Sequence, residues 1–160
     1  MDYLWTPWRY RYIASGIETD RCIFCDAAAA GDDAEFLIVL RATKNFVILN
    51  RYPYTSGHVM VVPYAHQATL AASEPEALAE MMVLAQRLER TLENLYHPDG
   101  YNVGMNLGRA GGAGIPGHLH LHVLPRWIGD TNFMTTVGET RVQPEELTTT
   151  YERLRGALGS

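Results

Sequence analysis

Histidine and an aliphatic residue alternate along residues 118–123, and this pattern constrains the fold more than any other part of the chain. Strict alternation predicts a β-strand, in which successive side chains point to opposite faces. The imidazoles of His118, His120 and His122 are therefore expected on one face, each roughly 6–7 Å from the next. Three such rings in a row are a poor structural choice, because each buried ring needs a hydrogen-bond partner. The row indicates a metal-binding or acid–base site.

The composition bounds the classes of protein to which the chain can belong. Its 160 residues are 47% apolar and 19% charged, which predicts one globular domain over residues 1–160. The formal net charge of −5 argues against a nucleic-acid-binding protein. No stretch approaches the roughly 18 apolar residues of a membrane span, and residues 1–12 lack the apolar segment of a signal peptide. We expect a cytoplasmic protein without nucleic-acid or membrane partners.

Hydrophobic periodicity and turn residues give an α+β pattern with five strands. The predicted strands cover residues 36–40, 46–49, 58–63, 101–105 and 118–124. This spacing predicts a mostly antiparallel sheet with one long helix and a short N-terminal helix. Residues 1–20 are read as an aromatic arm, and residues 127–160 as a C-terminal extension of the same domain.

Three helices are predicted from their start and stop signals. A short helix lies within residues 20–31 and ends at Gly31. The long helix begins at Ser73, with Glu76 at the capping-box position, and ends near residues 97–98. Its apolar face includes Met81 and Met82 as core residues. The last helix begins at residue 140 or 143, with a proline in its first turn.

The two cysteines, Cys22 and Cys25, form a CxxC pair that supplies two soft metal ligands. His66 and His118 are the best candidates to complete a tetrahedral zinc site, which would be structural because no open position remains. The pair alone also suits a redox site or the remnant of a lost metal site. We therefore expect structural zinc as the cofactor, with those two alternatives open.

A loop with five glycines, residues 106–117, leads directly into the histidine row. Glycines let the backbone approach an anion, so Gly112 and Gly114 are expected to contact substrate phosphate. The alternative is a long flexible hairpin connection. Since phosphate-binding N–H groups would open onto imidazoles, the combination predicts transfer at phosphorus through a histidine nucleophile.

Several motifs in the chain resemble those of a known family. Residues 118–124 match the signature of the histidine triad (HIT) superfamily, His-x-His-x-His followed by two apolar residues. Residues 49–59 resemble its ribose-binding strand–loop–strand, and the resemblance covers roughly residues 20–126. The Trp-Thr-Pro-Trp-Arg arm at residues 5–9 and the tail at residues 125–133 are similar to its bacterial diadenosine polyphosphate phosphorylase/hydrolase-like branch.

The resemblance implies a HIT-like fold and a role for each matching residue. His120 would be the nucleophile, attacking an α-phosphorus to form a nucleotidyl-histidine. His122 would contact the phosphate, Asn50 the ribose and Asn106 the region of the α-phosphate, and His58 would be a further active-site residue. In zinc-bearing members the ligands match Cys22, Cys25, His66 and His118.

The resemblance also implies a substrate class and an assembly. The substrate would be an adenine nucleotide or a dinucleoside polyphosphate such as diadenosine tetraphosphate, with inorganic phosphate or water as the second acceptor. A homodimer or larger homo-oligomer is expected. The alternatives are a nucleotide-binding HIT protein (a phosphoramidate or adenylate hydrolase, or a scaffold with little turnover) and a purely structural metal-binding module.

The chain departs from the family pattern immediately before the triad. Many members carry Gln and then Ser or Thr at the positions of Gly114 and Ile115, and Pro116 has no N–H to donate. Side-chain donors to the phosphate and the leaving group are therefore missing. The sequence leaves open how the leaving group is protonated, with Arg109 as one source of charge.

Overall fold

The computed structural model describes residues 21–138 and 143–159. The aromatic arm of residues 1–20 and the predicted helix start at residue 140 lie outside these ranges. Strands run over Ile38–Arg41 (β1), Asn45–Leu49 (β2), Val59–Pro63 (β3), Gly100–Gly104 (β4) and Leu121–Arg126 (β5). Helices run over Ile23–Ala29 (α1), Pro75–Tyr96 (α2), Phe133–Thr136 (α3) and Leu147–Leu158 (α4), with a 3₁₀ turn at Leu70–Ala72.

The five strands form one sheet in the order β1-β2-β3-β5-β4, and every neighbouring pair is antiparallel. The long helix α2 forms the connection between β3 and β4, and the glycine-rich loop leads from β4 back to β5. This arrangement confirms the predicted α+β class, with about five mostly antiparallel strands, one long helix and a short N-terminal helix.

The centre of the sheet is buried on both faces. All five residues of β2 and all five of β3 are buried, which is why these strands read as continuous apolar runs. One face, the helix-side core, packs against α2 and α4 through residues such as Val47, Leu49, Leu88 and Leu154. The other face, the α1-side cluster, includes Phe24, Phe46, Ile48 and Met60.

Helix α1 is held on the sheet by one arginine at its C-terminal end. The Arg41 guanidinium donates to the carbonyl oxygens of Ala28 (2.9 Å), Ala30 (3.1 Å) and Ala27 (3.3 Å). It also pairs with Asp33 at 2.8 Å. These bonds satisfy the carbonyl groups that a helix end leaves without partners. They fix the position of the short helix that carries Cys25.

The last strand begins later than the predicted residue 118. Only His122 of the triad lies within β5, because the ladder pairs Val61 with Leu121 and stops there. By the same register Pro63 faces Leu119, and proline has no N–H to donate. The Leu119 N–H bonds instead to the Gln67 carbonyl oxygen at 2.6 Å. The alternation nevertheless continues, since Leu119 and Leu121 enter the helix-side core.

Two predicted helix starts are wrong in detail. Helix α2 begins at Pro75, and the Ser73 hydroxyl donates to the Thr69 carbonyl oxygen at 2.9 Å instead of forming a capping box. Met82 is 57% exposed, whereas Met81 is buried as expected. Helix α4 begins only at Leu147, so Pro144 lies before it and not in its first turn.

Among the described residues no helix combines the length and the apolar character that a bilayer crossing requires.

Candidate functional site

Four predicted metal ligands meet between α1 and the segment before β5. The ligand atoms of Cys22, Cys25, His66 and His118 all lie within 4.8 Å of one another. Cys22 Sγ lies 3.2 Å from His118 Nδ1, and Cys25 Sγ lies 3.3 Å from His66 Nδ1. Residues 96 positions apart in the chain are therefore brought together, with the donor number and type that tetrahedral zinc prefers.

The protonation of His118 suits a metal ligand. Its Nε2 lies 2.9 Å from the Pro63 carbonyl oxygen, which can only accept, so Nε2 carries the hydrogen. The lone pair is then on Nδ1, the atom that faces both thiols. A carbonyl that orients a ligating imidazole in this way is typical of protein metal sites. Burial and the adjoining Cys22 thiol raise the pKa of Cys25, and a bound dication would reverse this effect.

His120 is also oriented by a backbone carbonyl oxygen, but here the hydrogen is on the other ring nitrogen. Its Nδ1 lies 2.8 Å from the backbone carbonyl oxygen of His118, so Nδ1 carries the hydrogen and donates it. A neutral ring then has its lone pair on Nε2. The side chain is only 5% exposed. His120 is therefore a buried imidazole whose tautomer, with Nε2 unprotonated, is set by the backbone carbonyl oxygen of His118.

A chain of hydrogen bonds fixes the third triad residue, His122, in the tautomer opposite to that of His120. The backbone N–H of Tyr54 donates to His58 Nδ1 at 3.2 Å, and the Asn50 side-chain amide lies 3.3 Å from the same atom. His58 must therefore carry its hydrogen on Nε2, which lies 2.9 Å from His122 Nδ1. His122 accepts there, so its own hydrogen is on Nε2. His120 thus has an acceptor at Nε2, whereas His122 has a donor.

Burial keeps the triad neutral near physiological pH. Burial is the main cause that lowers the pKa of His118 and of His120 below their ordinary range. For His122, burial and then the nearby His120 lower the pKa to about 4. The neutral form is the nucleophilic form of imidazole. The site therefore offers an uncharged acceptor and an uncharged donor side by side, with ring centroids 4.9 Å apart.

The glycine-rich loop is a compact turn rather than an extended flap. The Gly112 N–H bonds to the Arg109 carbonyl oxygen at 3.0 Å, and the Asn106 amide donates to the Gly112 carbonyl at 3.4 Å. Gly112 has φ +83°, and a Cβ at Gly111 would clash with the Leu107 carbonyl oxygen. Both positions thus require glycine. Gly114 is exposed, and the substrate contacts expected of Asn106, Gly112 and Gly114 stay predictions.

The segment immediately before the triad, where the sequence departs from the family pattern, makes two defined contacts in the structure. Ile115 packs against the α1-side cluster, and its carbonyl oxygen accepts from the His118 N–H at 3.4 Å. An aliphatic side chain thus anchors this segment to the α1-side cluster.

Sequence reasoning missed two aromatic residues of the site. The Phe24 ring lies 5.4 Å from the His118 ring and 5.0 Å from the His120 ring. The Tyr54 ring lies 4.9 Å from the His58 ring. Phe24 lies between the two cysteines of the CxxC pair, and Tyr54 lies in the loop before His58. This closeness in sequence to predicted site residues was the only signal that could have identified them.

The buried state of His122 predicts how stability depends on pH. The pKa of His122 is near 6.5 in the unfolded chain and about 4 in the folded protein. At pH values between these two, His122 binds a proton in the unfolded chain but not in the folded one. The free energy of unfolding is therefore expected to fall as pH decreases through this window and to level off below it. Denaturant unfolding of the protein and of His122→Gln measures this effect. As pH decreases from about 6.5 to about 4, the free energy of unfolding of the unmodified protein should fall relative to that of His122→Gln. Profiles that stay parallel over this range would contradict the prediction.

Comparison with known proteins identifies the family of this chain. The HIT domain family profile matches residues 33–127. The chain is 39% identical over 158 residues to an AP-4-A phosphorylase of Mycobacterium tuberculosis strain H37Rv, covering 94% of this chain and 81% of that protein.

Two solved structures are similar in fold. A Zn-bound histidine triad family protein from Mycobacterium smegmatis superposes with a TM-score of 0.69 at 29% identity, covering 86% of this chain and 93% of that one. The hypothetical histidine triad nucleotide-binding protein ST2152 from Sulfolobus tokodaii gives a TM-score of 0.68 at 25% identity, covering 86% of this chain and 92% of that one. The expected HIT-like fold and HIT-type enzyme are thereby confirmed. The chain belongs to the HIT domain family.

Proposed function

We propose that this enzyme is a phosphorylase of dinucleoside polyphosphates such as diadenosine tetraphosphate, acting through a nucleotidyl-histidine at His120. One observation carries the proposal: hydrogen bonds to the His118 carbonyl oxygen and to the His58 side chain leave a lone pair on Nε2 of His120 and a hydrogen on Nε2 of His122. A nucleophile and a donor to the phosphate thus stand beside each other in fixed forms. The 39% identity to an AP-4-A phosphorylase supports the substrate class and phosphate as the second acceptor.

The reaction proceeds in two displacements at the α-phosphorus. His120 Nε2 forms a bond to phosphorus while the bond to the bridging oxygen breaks, and ATP leaves from diadenosine tetraphosphate. Inorganic phosphate then attacks the nucleotidyl-histidine, the phosphorus–nitrogen bond breaks, and ADP leaves with His120 neutral again. Throughout, His122 Nε2–H donates to an oxygen of the α-phosphate, where charge develops.

Other predicted residues surround this centre in the proposal. Asn50 binds the ribose from the loop that also supplies His58, and Asn106, Gly112 and Gly114 line the phosphate chain. Arg109 on the same loop is an exposed cation. We place the reaction in the cytoplasm, in keeping with the free thiols of Cys22 and Cys25.

Product analysis with and without inorganic phosphate tests the reaction. Diadenosine tetraphosphate should give ADP and ATP only when phosphate is present, and His120→Ala should lower kcat by more than about 10³-fold because the covalent route is lost. His97→Asn is a matched control, since His97 is an exposed helix cap with φ +45° that asparagine tolerates. Release of AMP regardless of phosphate would indicate hydrolysis. No turnover in either condition would favour a nucleotide-binding role.

We further propose a structural zinc ion on Cys22, Cys25, His66 and His118. The geometry of the four donors supports it, as does the Zn-bound relative from M. smegmatis. When bound, the ion neutralises the two thiolates and ties α1 to the triad segment.

Elemental analysis should find about one zinc per chain. Both His66→Ala and chelation should lower the melting temperature, since binding energy is lost from the folded state. Phosphorolysis by His66→Ala at a temperature where it stays folded gives a second readout. Protein without zinc that keeps its full melting temperature under chelation would contradict the site and favour the remnant of a lost metal site. A reversible Cys22–Cys25 disulfide would favour the redox alternative.

We also propose a homodimer in which β4 meets its copy. Strand β4 pairs only with β5 among the described strands, and Val103 on it is 51% exposed. On α2, Met82 is 57% and Val83 63% exposed. An edge strand with apolar residues is a surface that proteins usually cover. Sedimentation velocity at micromolar concentration should give twice the chain mass, and Val103→Lys should shift it towards the monomer. A monomer at all concentrations would contradict the proposal.

A further inference from the structure

We propose that Phe24 is a positioning residue for the reaction, fixing the plane of the His120 imidazole from inside the CxxC pair. The inference rests on the proposed role of His120 as nucleophile. Phe24 itself touches no reacting atom. It acts through the contact between its ring and the His120 ring.

The position of Phe24 is defined by packing on all sides. The side chain is 2% exposed and belongs to the α1-side cluster. Its ring lies 5.0 Å from the His120 ring with an interplanar angle of 48°, and 5.4 Å from the His118 ring at 74°. One phenyl ring therefore contacts both the proposed nucleophile and a proposed metal ligand. Tilted and edge-to-face contacts at these separations are favourable for aromatic rings.

His120 needs such a contact because a single hydrogen bond restrains its ring incompletely. The bond from Nδ1 to the His118 carbonyl oxygen, at 2.8 Å, limits rotation of the ring about Cβ–Cγ, but a hydrogen bond tolerates a range of angles and leaves part of this rotation open. Rotation would move Nε2, the attacking atom, away from the phosphorus. The Phe24 ring and the His122 ring, 4.9 Å from the His120 ring, restrict this rotation. A displacement of about 1 Å in a reacting group can cost on the order of 10²-fold in rate.

Helix α1 supplies a rigid base for Phe24. The N-terminal end of the helix carries Cys22 and Cys25 beside the two histidines, and its C-terminal end is capped by Arg41. The ring of Phe24 is thus held by a helix fixed at both ends. This explains how a residue outside the substrate loops can set the orientation of a group in the site.

Phe24→Leu tests the inference, because leucine keeps the apolar volume but removes the ring faces. We expect kcat for phosphorolysis of diadenosine tetraphosphate to fall by about 10- to 100-fold, with KM and zinc content unchanged. Histidine-selective NMR gives a readout independent of activity. The Nδ1–H resonance of His120, assigned by its absence in His120→Gly, should broaden or exchange faster with solvent in Phe24→Leu.

Phe46→Leu is the matched control. Phe46 is a fully buried phenylalanine of the same cluster, and its ring partner is Tyr64, at 5.3 Å. The Phe46→Leu protein should lose about as much stability as Phe24→Leu, while its kcat and the His120 resonance stay as in the unmodified protein. If Phe24→Leu does not fold, Phe24→Met serves in its place.

Three results would overturn the role of Phe24. The first is an equal loss of kcat in Phe24→Leu and Phe46→Leu. The second is a change in Phe24→Leu that is confined to KM. The third is loss of zinc together with activity in Phe24→Leu. A His120→Gly protein that keeps full activity would instead reject the proposed function. In that case the NMR comparison would still show whether Phe24 orients the His120 ring.

Discussion

Burial of the central strands on both faces is the constraint on which the rest of this protein depends. Because β2 and β3 are covered on both sides, the sheet holds α2 and α4 on one face and α1 on the other. The metal ligands and the triad meet on the α1 side. If only one face were buried, α1 would have no apolar surface to pack against, and its cysteines would not reach the histidines.

The chemistry of the site is specified largely by backbone groups. The carbonyl oxygens of Pro63 and His118 and the N–H of Tyr54 each have a fixed hydrogen-bonding sense, so each determines which nitrogen of an imidazole carries the hydrogen. Three similar side chains at alternate positions are thereby fixed in two tautomers, and each presents a different group. His118 presents Nδ1 to the thiols, His120 presents an unprotonated Nε2, and His122 presents a protonated one.

The fold and most members of the site could be predicted because they leave strong periodic or spacing signals. Alternation over residues 118–123 and the CxxC pair both identified side chains that the structure brings together. The start of β5 could not be predicted, since the strand is cut short by Pro63 on a partner strand far away in sequence. The contact of Phe24 with His120 also could not be predicted from the sequence, because it forms only when α1 packs on the sheet.

The sequence by itself determined which groups are available: two thiols, a row of imidazoles and a glycine-rich loop, within an α+β pattern of apolar residues. Local periodicity and turn chemistry suffice for these because they depend on neighbours along the chain. Only the tertiary structure decided which nitrogen of each imidazole carries its hydrogen and which side chains restrain each ring. Apart from the bond of His120 to the carbonyl oxygen of His118, these properties depend on hydrogen bonds and ring contacts between distant segments, such as His118 with Pro63, 55 positions apart.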